Sequence, residues 1–250
     1  MVRQCPSGWC KRPRTALRWG LRARPLTPSA GLNGIFWRLR TGAPWADIPA
    51  RYGPCTTCVN RFNRWCRAGH WARILDAISD ACDGDVQMID ASSIRVHQHG
   101  ENGPKKGGRS DCMGRSRGGL TMRIRALVDA VGRPIRLKLA EGQAHDGRSA
   151  ADMFDTVVAG PTLLADRAYD SDALHGALAA RGALANIQLM PNRVKRFHFD
   201  AELCKARNLV ERFFNKLRYF RAVATRYDNY LASVQLASIC IWLRTHESAA

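Results

Sequence analysis

The chain has 250 residues, with 39 Lys or Arg against 21 Asp or Glu, a formal net charge of +18. At 46% hydrophobic residues it is too apolar for a disordered polycation, and its length suits one or two domains with a real core. No apolar run approaches the roughly 18 residues of a membrane span, and no signal-type run follows the early arginines, so a soluble partner of polyanions is expected, with no membrane.

In chain order, residues 1–75 hold fourteen bases and a single acid, Asp47, a net of +13; residues 76–250 are nearly balanced at +5. Clustered bases of this kind bind duplex nucleic acid by counterion release. A GC-rich genome would explain Arg over Lys, but not the near absence of acids. Residues 1–30, interrupted by Pro6, Pro13, Pro25 and Pro28, read as an irregular basic lead-in. Leu32, Ile35, Phe36 and Leu39 have helical spacing that stops at Thr41-Gly42-Ala43-Pro44. Trp45–Ile48 reads as a short turn, and Tyr52-Gly53-Pro54 punctuates again. A helix capped by Thr56 or Thr57 runs to about Arg67 and ends at Ala68-Gly69, and another spans Trp71 to Ala81. Residues 31–82 thus read as a small helical, helix-turn-helix-like DNA-binding domain. Its expected phosphate contacts are Arg38, Arg40, Arg51, Arg61, Arg64, Arg67 and Arg73. A plain helical subdomain with solvated charges is the alternative.

The nine cysteines are odd in number and scattered, which fits free thiols in a reducing cytosol. Cys55, Cys58, Cys66 and His70 have zinc-ligand types. Val59, Phe62, Trp65 and Cys66, however, share one helical face, so Cys58 and Cys66 read as small core-facing residues.

From residue 84 the pattern changes. Val86–Ile94 alternates as a strand, residues 97–119 read as a long polar loop, and Thr121–Asp129 with Pro134–Ala140 forms a hairpin. A helix is expected at about 147–158, a short buried strand at Thr162–Ala165, a helix at about 170–181 and a strand at Ala183–Leu189. Lys205–Phe220 reads as one strong helix and 229–244 as another. The result is an α/β domain over 84–245, a mixed sheet with helices on both faces.

Three carboxylates stand out. Asp90 interrupts an apolar strand, which is costly unless it is paired or binds metal. Asp166 lies at the C-terminal end of a strand, where α/β sheets place ligand chemistry. Glu211 sits at the edge of the stripe Val210, Phe213, Phe214, Leu217 and Phe220, with Arg207 and Arg218 on its face. Three carboxylates suit Mg²⁺ or Mn²⁺, and two such ions roughly 3.5–4 Å apart can drive phosphodiester cleavage. Each residue alone could instead make an ion pair, Asp166 with Arg167 and Glu211 with Arg207 or Arg212.

Leu32-Asn33-Gly34-Ile35-Phe36-Trp37-Arg38-Leu39-Arg40-Thr41-Gly42-Ala43-Pro44-Trp45, Tyr52-Gly53-Pro54, the Thr56-to-Trp65 helix and Arg73-Ile74-Leu75-Asp76 resemble the N-terminal part of insertion sequence family five transposases. Gly118-Gly119-Leu120-Thr121, Gly142-Gln143-Ala144-His145-Asp146, Leu164-Ala165-Asp166-Arg167-Ala168-Tyr169-Asp170 and Arg207-Asn208-Leu209-Val210-Glu211-Arg212-Phe213-Phe214 resemble the catalytic part. The resemblance covers about 31–244. It implies a ribonuclease-H-like fold and an Asp-Asp-Glu triad at Asp90, Asp166 and Glu211, serving as catalytic residues and metal ligands. It also implies Mg²⁺- or Mn²⁺-dependent cleavage at terminal inverted repeats and joining of 3′ ends to target DNA. Double-stranded DNA is the implied partner, with a homodimer or larger synaptic complex in the bacterial cytoplasm at the nucleoid. Arg207, Lys216 and Arg218 are the implied DNA contacts beside the triad. Of the related signature Tyr-x2-Arg-x3-Glu-x6-Lys, Arg207 and Glu211 match, Arg218 stands for Lys and Cys204 for Tyr. Arg125 stands where His is expected, and residues 1–30 depart from the family's opening helix. A catalytically impaired remnant that only binds DNA is the alternative, and a cellular nuclease of the same fold a further one. His97, His99 and His145 are open between DNA-facing and structural roles.

Overall fold

The computed structural model describes residues 28–80, 84–95, 114–116, 119–141, 153, 160, 162–224 and 229–247. Helix α1 (Pro28–Thr41) opens on a proline, whose missing N–H costs nothing in a first helical turn. Residues 28–30 are therefore helical and do not belong to an irregular lead-in; residues 1–27 lie outside the described residues. Gly42 ends α1 with φ +71, and a side chain there would meet the Cβ of Arg221 at 2.8 Å. Helix α2 (Cys55–Arg67) has Pro54 at its N-cap and no side-chain cap, so Thr56 and Thr57 lie inside its first turn. The Pro54 carbonyl takes the N–H groups of Thr57 and Cys58 directly. Gly69, at φ +66, turns the chain into α3 (His70–Ser79). Cys58 is fully buried, and a Cβ on Gly34 would lie 2.9 Å from its sulfur, so it fills the α1–α2 contact as a small core residue.

The sheet contains β1 (Val86–Arg95), β2 (Gly114–Ser116), β3 (Gly119–Asp129), β4 (Pro134–Glu141), β5 (Thr162–Ala165) and β6 (Leu184–Ile187). Its path is β4-β3-β1-β5-β6, and β2 pairs with the start of β3. The pairs β4/β3 and β3/β1 are antiparallel, whereas β1/β5 and β5/β6 are parallel. Three antiparallel strands followed by two parallel ones form the expected ribonuclease-H-like sheet. Strand β2 corrects the long-loop reading at residues 114–116, because three residues of Gly-Arg-Ser carry no alternation to read. The rest of that loop, His97, His99, His145 and most of the expected 147–158 helix lie outside the described residues; Met153 is helical and buried.

Helix α4 (Asp172–Ala180) begins at Ser171, whose hydroxyl accepts the Leu174 N–H at 3.3 Å. It covers one face of the sheet through Leu174 and Leu178, packed with Ile89, Leu127 and Leu163. The other face carries α6 (Asn208–Arg218) and α7 (Tyr230–Glu247), preceded by the short α5 (Ala201–Lys205). There one apolar cluster runs from Ile35, Phe62 and Trp71 through Val234 to Phe213 and Met88, so the N-terminal helices share a core with the sheet. Among the described residues no helix is long and apolar enough to cross a membrane.

Candidate active site

Strands β1 and β5 run parallel with Met88 opposite Leu164. Side chains alternate along a strand, so two residues further on Asp90 and Asp166 emerge side by side on the face that carries α6. Each carboxylate accepts the N–H of its successor at 2.7 Å, Asp90 from Ala91 and Asp166 from Arg167. Asp166 thereby caps a 3-10 turn, Arg167–Tyr169, that swings the chain away from the sheet. The turn is anchored by Asp170, whose side chain is fully buried and takes Arg193 at 2.8 Å, His175 at 3.1 Å and the Met190 N–H at 2.8 Å.

The third carboxylate arrives on a helix shorter than its apolar pattern suggests. Where one helix from Lys205 to Phe220 is expected, α5 ends at Lys205 and α6 begins at Asn208. Upstream, the Asn186 amide bonds both the N–H and the carbonyl of Asp200, at 2.7 and 2.9 Å. Asp200 in turn caps α5 through the N–H groups of Glu202 and Leu203. Arg207 then occupies the N-cap of α6, and its N–H donates to the Cys204 carbonyl at 3.1 Å. The β3–β4 turn, organised by Asp129 accepting from Val131, Arg133 N and Arg133 Nε, sets the height of α6. Gly132, at φ +80, approaches so closely that a Cβ would lie 3.1 Å from the Leu209 carbonyl oxygen. Val210, Phe213, Phe214 and Leu217 bury the inner stripe as expected, and Glu211 is exposed on the flank nearest Asp90. Arg218, two turns on, donates to the Ser92 hydroxyl at 3.2 Å, on the same sheet face as Asp90.

Arg207 bridges the two aspartates, with Nη1 3.1 Å from Asp166 Oδ1 and Nη2 3.7 Å from Asp90 Oδ2. Burial pushes the Asp90 carboxyl above the usual carboxylate range; Asp166 and Glu211 push it the same way, and the Ala91 N–H and Arg207 offset part of this. Burial alone would lower the Arg207 guanidinium, yet Asp90 and Asp166 hold it above its ordinary value. Among the described residues no three acidic, Cys or His side chains are grouped closely enough to hold one ion, and Glu211 acts on Asp90 through its charge. The donors nevertheless fit a hard divalent cation: they offer only oxygen, and a positive group already fills the gap between the aspartates.

Residues 81–245 match the family model described as "Transposase DDE domain", and residues 10–75 match "Putative transposase of IS4/5 family". The chain belongs to the DDE-domain transposases of the IS4/5 type. A Brucella ovis protein, "Putative transposase for insertion sequence element IS6501", is 35% identical over 130 residues, half of this chain and all of that one. "Insertion element IS402 uncharacterized 16.2 kDa protein" of Burkholderia cepacia is 36% identical over 81 residues, 29% of this chain and 54% of that one. A solved "Mos1 transposase paired-end complex with left transposon end" covers 83% of this chain and 78% of its own at 12% identity and a TM-score of 0.29, too distant to bear on the site. DDE transposases depend on divalent metal.

The remaining residues expected to touch DNA are not equally presented on this transposase. Arg40, Arg64, Arg67, Arg51, Arg73, Lys216 and Arg218 are exposed, and Arg61 is half-buried against Gly31 of α1. Arg38 departs from the expectation. It is 7% exposed, with its guanidinium 4.9 Å over the Trp45 ring, because the helix period that exposes Arg40 turns Arg38 inward. Arg125, noted as standing for a His, is fully buried on β3 opposite Ala91, on the sheet face away from the carboxylates. Sequence reasoning missed Ser92, a small polar residue two positions after Asp90. It also missed Tyr219, Arg221 and Arg244, which belong to no motif and meet only in the fold.

Proposed function

We propose that this transposase binds the terminal inverted repeats of an insertion sequence, cleaves the DNA and joins its 3′ ends to target DNA by two-metal phosphodiester chemistry. The single observation that supports this best is the Arg207 guanidinium lying between Asp90 and Asp166, in the position a cation would take. Asp90, Asp166 and Glu211 are the residues that would hold Mg²⁺, or Mn²⁺ in its place. When bound, such ions activate the attacking hydroxyl and stabilise the leaving oxygen. Asp90 and Asp166 keep their carboxylates oriented through the N–H groups of Ala91 and Arg167. Arg207 and Arg218 flank Glu211 and neutralise phosphate oxygens, Arg218 from its seat on Ser92. Residues 31–82 supply DNA contacts through Arg40, Arg61, Arg64 and Arg67, and residues 84–245 the catalytic part. A homodimer or larger synaptic complex, working at the nucleoid in the bacterial cytoplasm, completes the reading.

The test is nicking of duplexes carrying the element's ends with Mg²⁺. Wild type is expected to cut at the end, and Asp90→Asn, Asp166→Asn and Glu211→Gln to bind without cutting. Cutting retained in all three variants would remove the assignment. A second reading, a DNA-binding remnant, is favoured by Cys204, whose thiol cannot replace a phenol beside Arg207. Wild type that binds end DNA and yields no product at any divalent metal would support it.

A further inference from the structure

Strands β5 and β6 run parallel with Ala165 opposite Ile187, so the chain leaves both at the sheet edge that presents Asp166. The exit of β5 is the turn Arg167–Tyr169, which Asp166 caps and Asp170 closes. The exit of β6 is the loop of residues 188–199, which leads to α5. One buried carboxylate joins the two exits. Asp170 Oδ1 accepts from Arg193 Nη1 at 2.8 Å and from His175 Nε2 at 3.1 Å, and Oδ2 accepts the Met190 N–H at 2.8 Å. No part of this side chain reaches solvent.

Burying a carboxylate is costly unless its oxygens are matched, and an apolar side chain could hold a plain turn as firmly. What the carboxylate adds is direction. Tyr169, 1% exposed, sinks the middle of the turn into the cluster of Ile89, Leu127 and Leu163, but apolar contact is non-directional. The hydrogen bonds of Asp170 aim at donors on α4 and on the loop, and so hold the turn in one place between them. The loop is itself fixed. Arg193 also reaches Asp172 at the start of α4 and lies 4.8 Å over the Phe197 ring, on which His175 stacks at 3.8 Å between centroids. A carboxylate only accepts, so His175 Nε2 carries its proton here. At the other end of the turn, the Asp166 carboxylate takes the Arg167 N–H at 2.7 Å. A shift of the turn therefore moves that N–H, and the carboxylate with it.

We infer that Asp170 is a positioning residue for DNA cleavage: through the turn Arg167–Tyr169 it holds the Asp166 carboxylate where a divalent cation needs it. This rests on the reading of Asp90, Asp166 and Glu211 as the metal-holding residues and deepens it. Buried as it is, Asp170 acts only through Asp166. The isosteric Asp170→Asn separates direction from volume. An amide has one acceptor oxygen and one NH2 group. With the oxygen towards Arg193 and His175, the NH2 faces the Met190 N–H; turned over, it faces the Arg193 guanidinium. Either way two donors confront each other and one tie opens.

The experiment is a Mn²⁺ titration of the full chain with a duplex carrying the element's end, free Mn²⁺ being read by electron paramagnetic resonance. Wild type binds the ion and Asp166→Asn loses that binding. Asp170→Asn raises the Mn²⁺ concentration at half occupancy about tenfold to a hundredfold, and the concentration for half-maximal nicking by the same factor. Its duplex affinity stays that of wild type. Arg193→Met, which leaves Asp170 without its cation, shifts half occupancy in the same direction, and Arg193→Lys stays closer to wild type. Far-UV circular dichroism and melting report folding; should Asp170→Asn not fold, Arg193→Met decides. Wild-type Mn²⁺ occupancy in the deciding variant overturns the inference, even where melting falls, because a merely structural tie would lower melting alone. If wild type binds no Mn²⁺, or Asp166→Asn binds it equally well, the metal-holding reading fails first and takes this inference with it. If those two differ while the deciding variant matches wild type, only the role of Asp170 fails.

Discussion

The two flanks of α6 are charged in opposite senses. On one, strands β1 and β5 bring Asp90 and Asp166 together, and the chain supplies its own counter-cation, Arg207, held by both. On the other, Lys216 meets Arg40, Arg221 and Arg244, and the described lining residues there include no acid. Collected negative charge is here compensated from within the chain, by Arg207 between the two aspartates.

The strongest way to break this comparison is at the acidic flank. Asp166→Asn is expected to lower single-turnover nicking on the order of a thousandfold or more while duplex affinity changes little. A comparable loss of duplex affinity would mean that this flank does not separate chemistry from binding. Arg207→Ala comes next. It leaves two adjacent carboxylates facing each other, so in metal-free buffer the protein should lose about 1–2 kcal/mol, below the range for fully buried pairs because the site is part-exposed. Added Mn²⁺ should restore much of the melting temperature, and absence of that rescue would show that Arg207 does not stand in for a cation. Gly132→Val places a β-branched side chain at φ +80 against the Leu209 carbonyl, with an expected cost of about 1–3 kcal/mol and reduced nicking from a displaced α6.

Smaller effects sharpen the picture. Because Asp90 has its carboxyl raised by folding, the folded state holds that proton more tightly than the unfolded chain does. Its contribution to stability therefore declines as pH rises from the ordinary aspartate value through the raised one, and the ionised form is the costly one at neutral pH. Asp90→Asn should melt higher than wild type at pH 7 without metal, and the difference should shrink as pH falls through the raised value. A variant that melts lower at pH 7 would mean that the Arg207 contact outweighs burial. Smallest of all, Arg64→Ala or Arg67→Ala should each weaken duplex binding a few-fold, with a salt slope shallower by about 0.9.

Much of the acidic flank was legible from residue pattern. Asp90 interrupts an alternating strand, Asp166 ends a short buried one, and β1 and β5 lie where the residue pattern puts them. The stripe Val210, Phe213, Phe214 and Leu217 likewise declared its inner face. The break at Ala206–Arg207 was not legible, because apolar spacing continues through it; there the backbone N–H groups bond three residues back, Arg207 to Cys204 and Leu209 to Ala206. The cap of α2 was misread for a local reason, since Pro54 supplies the entry that Thr56 or Thr57 would otherwise have given.

By itself, the sequence determined the element types, the family, the uneven charge and the identity of three candidate carboxylates, because periodicity and composition are local properties. Only the tertiary structure decided what each charged group faces. Arg38 and Arg40 are two residues apart, yet one is buried over Trp45 and the other lines the hollow between α1, α6 and α7. Arg40, Arg221 and Arg244 come from three distant segments and meet there, and Arg207 turns onto two aspartates carried by separate strands. A helix or strand period fixes which side a residue takes, but the electrostatic partner on that side comes from whichever distant element packs there.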